Sequence, residues 1–108
     1  LAEVARLFPS VRFIMVHMGL NTDNSEAMDI IRTNDNVYGD TCEVESGRVM
    51  EAIRECGSEK ILFGTDAVVH GIDTYQRYMP LVDLIRKSCS VEDAGNVLFK
   101  NCQRLYRL

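Results

Sequence analysis

The sequence repeats one unit three times: a short apolar segment that ends on an ionisable residue, followed by a stretch with the hydrophobic spacing of a helix. The apolar segments are residues 11–17, 37–40 and 60–66. Segments of this kind are typical of strands covered on both faces, and helices between them supply the crossovers that parallel strands require. The repeat therefore predicts an α/β fold with a parallel sheet and right-handed connections.

Local signals predict where helices begin and break. Two pairs have the spacing of N-terminal capping residues: Asp23 with Glu26, and Ser90 with Asp93. Asp73 is expected to open one helical turn, and Pro80 to begin a second helical piece, because proline is well tolerated in a first turn. Asn101 is expected to interrupt the last helix.

Composition narrows the class of protein. The chain has 108 residues with 12 Lys or Arg and 16 Asp or Glu, so its net charge is -4. Without a basic cluster, binding to a nucleic-acid backbone is not expected. No apolar stretch reaches the roughly 18 to 20 residues that span a bilayer, and no secretory signal pattern opens the chain. We therefore expect a cytoplasmic protein that acts on neither nucleic acid nor membrane. The four cysteines form no Cys-x-x-Cys pair, which predicts reduced, partly buried thiols.

Each predicted strand ends on an ionisable side chain, namely His17, Asp40 or Asp66. Active sites of α/β proteins lie at the carboxyl ends of parallel strands, where an imidazole and carboxylates can share a divalent cation or divide acid and base work. Simpler interpretations stay open for two of them: His17 as a satisfied core residue, and Asp40 as a cap on the following helix. Asp66 is the hardest to explain as a cap, because a loop follows it.

Four segments together carry a further signal. They are FPSVRFIMVHMG at residues 8–19, NVYGDT at 36–41, ILFGTD at 61–66 and VLFKN at 97–101. The strand ending in His-x-Gly and the later Gly-Thr-Asp are the most specific, and the match covers essentially the whole chain. In these features the sequence resembles the final part of the amidohydrolase-related family, the metal-dependent hydrolases and decarboxylases of the amidohydrolase superfamily.

The resemblance implies a (β/α)8 TIM barrel whose sixth to eighth strands lie in this chain, so that residues 1–108 are the C-terminal portion of that domain. Asp66 matches the last-strand aspartate that approaches the metal and handles the proton of its water. His17 matches the sixth-strand histidine that contacts substrate or ligates the metal. Asp40 and His70 match no invariant catalytic position and are expected to line the pocket as substrate-binding residues. Asn101 matches an asparagine with an expected structural role.

The implied cofactor is a divalent metal, Zn²⁺ first, with Mn²⁺ or Fe²⁺ also compatible with imidazole and carboxylate ligands. The family's main ligands, a first-strand His-x-His pair and a fifth-strand histidine, would lie upstream, since His17 and His70 are the only histidines here. The parent protein would be the enzyme, and this chain alone inactive. The expected reaction on a small molecule is attack of metal-activated water on an amide, ester or lactone. Decarboxylation is the alternative within the superfamily.

An alternative from another class is a non-catalytic α/β remnant that acts by associating with another chain. Its outer strands would have open edges, which favour pairing between chains. Self-association or a homo-oligomer is expected in that case and also for the isolated part of a barrel.

Overall fold

Three short parallel strands form the centre of the structure, a computed structural model that describes residues 1–72 and 74–108. They are β1 (Phe13–Met15), β2 (Val37–Asp40) and β3 (Ile61–Leu62), hydrogen-bonded in the order β1-β2-β3. Both pairings are parallel. Because each strand pairs with its successor in the chain, helical segments make the crossovers, and the predicted α/β class is confirmed.

Helices account for most of the remaining described residues. The α-helices are α1 (Ala2–Leu7), α2 (Ser25–Thr33), α3 (Ser46–Cys56), α4 (Thr74–Ser88), α5 (Val91–Gly95) and α6 (Asn101–Tyr106). Single 3₁₀ turns follow β1 and precede β3, and a π-helical turn joins α5 to α6. Among the described helices none combines the length and apolar character of a membrane span.

The core lies where strand side chains meet the inner faces of the helices. Val37 on β2 and Ile61 on β3 are completely buried, as are Ile31, Val49 and Ile85 on α2, α3 and α4. Burying a branched aliphatic side chain stabilises a fold by about 1.5–3 kcal/mol, so these contacts hold the helices against the sheet. The four cysteines are free thiols, as predicted.

β2 has the predicted bounds, whereas β1 and β3 are shorter than the predicted segments, which extend too far at their carboxyl ends. After β1 the chain enters a 3₁₀ turn in which His17 has a φ of 64°, in the left-handed region. After β3, the N–H of Phe63 donates to the carbonyl of Val97 rather than to a neighbouring strand. Both changes of direction arise from tertiary contacts, which hydrophobic spacing does not report.

The predicted break before Pro80 is also wrong, because α4 runs through it without interruption. Proline supplies no N–H to the preceding turn, but Pro80 is exposed, so water can satisfy the carbonyl left without a partner. Tyr78 and Leu81 on either side of it are buried and hold α4 on the core. Asp73, predicted to open this helix, lies outside the described residues.

Of the two capping predictions, one is confirmed and the other is displaced. Ser90 Oγ accepts a hydrogen bond from the N–H of Asp93 at 3.0 Å, so that cap is confirmed. The other prediction is displaced by one residue: α2 begins at Ser25 after Asn24, and Asp23 Oδ1 accepts from the Ser25 N–H.

Asn101 does not interrupt the last helix, contrary to the prediction, but begins α6 after the π turn. Its side chain is completely buried. The Nδ2 group donates to the carbonyls of Ser58 and Ile61, each at 2.7 Å. The residue therefore ties α6 to the start of β3.

Candidate functional site

The carboxyl edge of the sheet brings the three strand-end residues together. The N–H of His17 donates to Asp40 Oδ1 at 2.9 Å. On the other side of the ring, His17 Nε2 lies 3.8 Å from Asp66 Oδ2. The His17 and Asp66 side chains are 21% and 38% exposed, so this pair faces solvent, whereas Asp40 is buried. The adjacency predicted for strand ends is thus present in the structure.

The hydrogen bonds of His17 define the state of its ring. Nδ1 lies 3.1 Å from the carbonyl oxygen of Cys42. Because a carbonyl oxygen only accepts, Nδ1 carries a hydrogen and acts as the donor. Nε2 is the nitrogen on the side of the site where Asp66 lies. This arrangement suits a nitrogen that accepts a proton or binds a cation.

Asp40 does not cap α3, so that alternative interpretation is wrong. Its Oδ1 accepts from the N–H groups of His17 and Cys42, at 2.9 and 3.1 Å. The cap of α3 is Glu45, whose carboxylate accepts from two N–H groups of the first turn. Glu45 was not predicted as a cap, because glutamate is less common at that position than aspartate.

Asp66 reaches the site through a close approach between the loops after β2 and β3. Thr41 Oγ1 accepts from the Gly64 N–H and donates to the Gly64 carbonyl, both at 3.1 Å. A Cβ on Gly64 would lie only 2.7 Å from Cys42 Sγ, which explains glycine at this position. Asp66 itself has a φ of 52°, a conformation that non-glycine residues adopt rarely and that clusters at functional sites.

Cys42 was not predicted as a site residue, yet it completes a group of potential metal donors. Donor atoms of His17, Asp40 and Cys42 all lie within 4.8 Å of one another. Burial, supplemented by the negative charge of Asp40, raises the pKa of the Cys42 thiol to about 12. The thiol is therefore protonated at neutral pH, and the imidazole and carboxylates are the better donors of this set.

The donor chemistry fits a divalent metal of the kind that the resemblance implies. Imidazole nitrogen and carboxylate oxygen bind Zn²⁺ or Mn²⁺ well. Two ligand atoms that are each about 2.1 Å from one ion can be at most about 4.2 Å apart. The 3.8 Å between His17 Nε2 and Asp66 Oδ2 satisfies this limit.

His70 lies in a separate polar cluster beside the site. Its Nε2 is 2.8 Å from Glu43 Oε1, which also accepts from the Tyr78 hydroxyl at 3.1 Å. Arg77 contacts the other oxygen of Glu43 at 3.4 Å. Burial alone would raise the pKa of Glu43, but the hydrogen bonds from Tyr78 and His70 and the charge of Arg77 outweigh it and lower that pKa. A substrate-binding role for His70 stays a prediction.

The loop that follows Asp66 carries three exposed apolar side chains. Val68, Val69 and Ile72 are 80%, 64% and 89% exposed. An isolated bridge between Val68 and Gly71 closes the loop on itself. The loop therefore offers an apolar surface within a few residues of the carboxylate at the site.

The larger of two cavities does not lie at the edge that carries the imidazole and carboxylates. A cavity of about 700 Å³ lies at the amino edge of the sheet, lined among others by Tyr38, Lys60 and Asp93 and by none of His17, Asp40 and Asp66. A cavity of about 610 Å³ lies at the carboxyl edge, between residues 20–25 and the loop that contains Glu43. This second cavity is not lined by His17, Asp40 or Asp66. The carboxyl edge is the better candidate because of the clustered imidazole and carboxylates, not because of cavity size.

Parallel strands with a histidine and two aspartates at or just beyond their carboxyl ends define an α/β protein of the class that places its functional residues at that edge of the sheet. The family model described as amidohydrolase matches residues 1–108. The chain therefore belongs to the amidohydrolase family, as the motifs predict, and to a superfamily of metal-dependent enzymes.

Solved structures share this fold. Amidohydrolase 2 from Bifidobacterium longum subsp. infantis matches with a TM-score of 0.73 and 17% identity, over 99% of this chain and 44% of its own. A dihydroxybenzoic acid decarboxylase from Polaromonas sp. JS666, solved with bound manganese and the inhibitor 2-nitroresorcinol, matches with a TM-score of 0.66 and 22% identity, over 99% and 37%. A 2,6-dihydroxybenzoate decarboxylase from Rhizobium matches with a TM-score of 0.67 and 21% identity, over 96% and 37%.

The present chain is much shorter than these proteins. It spans 37–44% of their lengths. No curated protein matches it significantly. The activity of a whole protein containing this chain is therefore a matter of proposal.

Proposed function

We propose that this chain is the C-terminal portion of a (β/α)8 barrel enzyme, with β1, β2 and β3 as its sixth, seventh and eighth strands. The outer edges of β1 and β3 have no partner strand in the described sheet, and further strands on both sides would close it. The share of the solved relatives that the chain covers is close to three-eighths of a barrel. On this proposal the missing strands supply the remaining metal ligands.

We propose that the whole protein hydrolyses an amide, ester or lactone with a divalent metal, Zn²⁺ or Mn²⁺, that His17 and Asp66 help to hold. When bound, such an ion supplies a Lewis acid that polarises the substrate. Asp66 Oδ2 accepts the proton of the attacking water, and His17 Nε2 positions the reacting groups beside it. The observation that supports this assignment most directly is the 3.8 Å between these two atoms.

A second candidate reaction is decarboxylation of a small aromatic carboxylic acid. Two of the solved relatives named above are decarboxylases of dihydroxybenzoates, and one of them holds manganese. The exposed apolar loop at Val68, Val69 and Ile72 suits a flat apolar ring. The two reactions share the same metal and the same carboxylate, so the choice between them is a choice of substrate.

The test compares both reactions in the full-length protein after loading with Zn²⁺ or Mn²⁺. Hydrolysis of aryl ester, lactone and anilide substrates is followed beside release of CO₂ from 2,6-dihydroxybenzoate. Asp66→Asn should lower kcat by about 10²- to 10⁴-fold on the true substrate, as loss of a general base does. Asp35→Asn, at the opposite edge of the sheet, is the matched control and should leave kcat unchanged. Full activity of Asp66→Asn would remove Asp66 from the mechanism.

Metal content provides an independent check. Mass spectrometry of the purified full-length protein should find about one divalent ion per chain. An upstream sequence without a His-x-His pair would contradict the proposal, since a barrel of roughly 250 residues places that pair on its first strand.

A further inference from the structure

Asp40 makes one local and one long-range contact with the backbone at the site, and its substrate-binding role stays a prediction. A single oxygen, Oδ1, accepts both the His17 N–H at 2.9 Å and the Cys42 N–H at 3.1 Å. These two donors come from different segments, the turn after β1 and the loop after β2. The buried carboxylate of Asp40 therefore holds the two segments against each other at the site.

The backbone of His17 requires such a contact. Its φ is 64° and that of Met18 is 42°, both in the left-handed region that residues with a side chain seldom occupy. Conformations of this kind persist only where the surrounding structure fixes them. The bond from the His17 N–H to Asp40 fixes this one at the residue where the chain leaves β1.

The ring of His17 is held by the same pair of residues. Its Nδ1 donates to the Cys42 carbonyl at 3.1 Å, and Cys42 is itself placed by its N–H bond to Asp40. Both ends of the histidine, the backbone nitrogen and Nδ1, thus depend on residues 40–42.

We propose that Asp40 is a positioning residue that, through the Cys42 carbonyl, keeps His17 in the Nδ1–H tautomer with the Nε2 lone pair toward Asp66. This inference deepens the function proposed above and rests on it for its catalytic meaning. At 3.8 Å the Nε2 and Oδ2 atoms are too far apart for a direct hydrogen bond. On this proposal both atoms can bind the same cation, and His17 contributes the Nε2 lone pair.

The tautomer can be measured without activity. The 108-residue chain contains only two histidines, so ¹⁵N-histidine labelling gives two ring systems, and His70→Gln assigns them. The spectra are recorded without metal across a pH series, and the tautomer is assigned on the high-pH plateau where the ring ¹⁵N shifts no longer change. In the wild type, Nδ1 of His17 should have the ¹⁵N shift of a protonated nitrogen and Nε2 that of an unprotonated one.

Variants of Asp40 and Cys42 distinguish an effect on the His17 tautomer from a general loss of stability. Asp40→Ala removes the acceptor and should convert His17 to a mixture in which Nε2–H is the larger component. Asp40→Asn keeps an oxygen at Oδ1 and should retain Nδ1–H, and Cys42→Ser, which keeps the carbonyl, should retain it too. If Asp40→Ala fails to fold, the spectra of the wild type and of Asp40→Asn test the proposal instead.

Three results would overturn the inference: Nε2–H in the wild type, unchanged Nδ1–H in a folded Asp40→Ala variant, or its loss in Asp40→Asn. Each is independent of whether the full-length protein turns over a substrate. Failure of the activity assays with Nδ1–H present would instead contradict the proposed reaction and leave the positioning role intact.

Discussion

Replacing Asn101 should destabilise the protein far more than its place near the end of the chain suggests. The side chain is fully buried, and its Nδ2 donates to the carbonyls of Ser58 and Ile61 at 2.7 Å each. Asn101→Ala leaves both carbonyls without this donor. A buried polar group without a partner costs about 1–3 kcal/mol, so we expect a loss of about 2–6 kcal/mol in the free energy of unfolding. Against a total of about 5–15 kcal/mol, that is a large fraction.

Urea denaturation followed by circular dichroism measures this loss, and thermal melting should show a drop in Tm of about 8 °C or more. Asn101→Leu restores most of the volume without the donor, so it separates the lost hydrogen bonds from the cavity and should remain strongly destabilised. Gln103→Ala, exposed on the same helix, is the matched control and should stay within about 0.5 kcal/mol of the wild type. The hydrogen-bond explanation is refuted if Asn101→Ala also lies within about 0.5 kcal/mol, or if leucine fully restores stability.

Three further predictions concern the site edge and the open sheet. Gly64→Ala places a Cβ 2.7 Å from Cys42 Sγ and should lower the free energy of unfolding by about 1–3 kcal/mol in urea titrations. In Gly57→Ala the new Cβ would meet nothing within 4 Å, so this variant reports the effect of backbone strain alone. The pKa of Glu43 is lowered in the fold, so its contribution to stability is present above the ordinary value of 4.5 and is lost as the pH falls through the lower folded value. Urea midpoints between pH 3 and pH 7 should therefore depend less on pH in Glu43→Gln than in the wild type, and equal dependence would exclude Glu43 as a source. The isolated chain should self-associate through its unpaired strand edges and the exposed Leu7 and Phe8, and a sedimentation profile of a pure 12.2 kDa monomer would contradict this.

The parts of the fold that follow from hydrophobic spacing were predictable. Three apolar segments separated by helical periodicity indicate three parallel strands, and parallel strands end at the same edge. That reasoning alone places His17, Asp40 and Asp66 near one another, as the structure does.

The contacts that define the site were not predictable in the same way. The partner of the His17 ring is the backbone carbonyl of Cys42. Because every residue has a backbone carbonyl, the residue type at position 42 does not predict this contact. The left-handed backbone of His17 and of Asp66 is likewise imposed by neighbours and not by a glycine at those positions. The break predicted at Pro80 is absent for a related reason. Burial of Tyr78 and Leu81 beside it outweighs the lost backbone hydrogen bond.

The close approach of Gly64 to Cys42 has an evolutionary consequence. A larger residue at position 64 requires the Cys42 sulfur to move, and a smaller residue at position 42, for example glycine or alanine, removes the contact altogether. The Thr41 hydroxyl makes two hydrogen bonds to the backbone of Gly64. Serine can therefore replace Thr41, whereas valine cannot keep these bonds. Substitutions in the loops after β2 and β3 should therefore arise as compensating pairs, and Cys42→Gly should act as a second-site suppressor of Gly64→Ala.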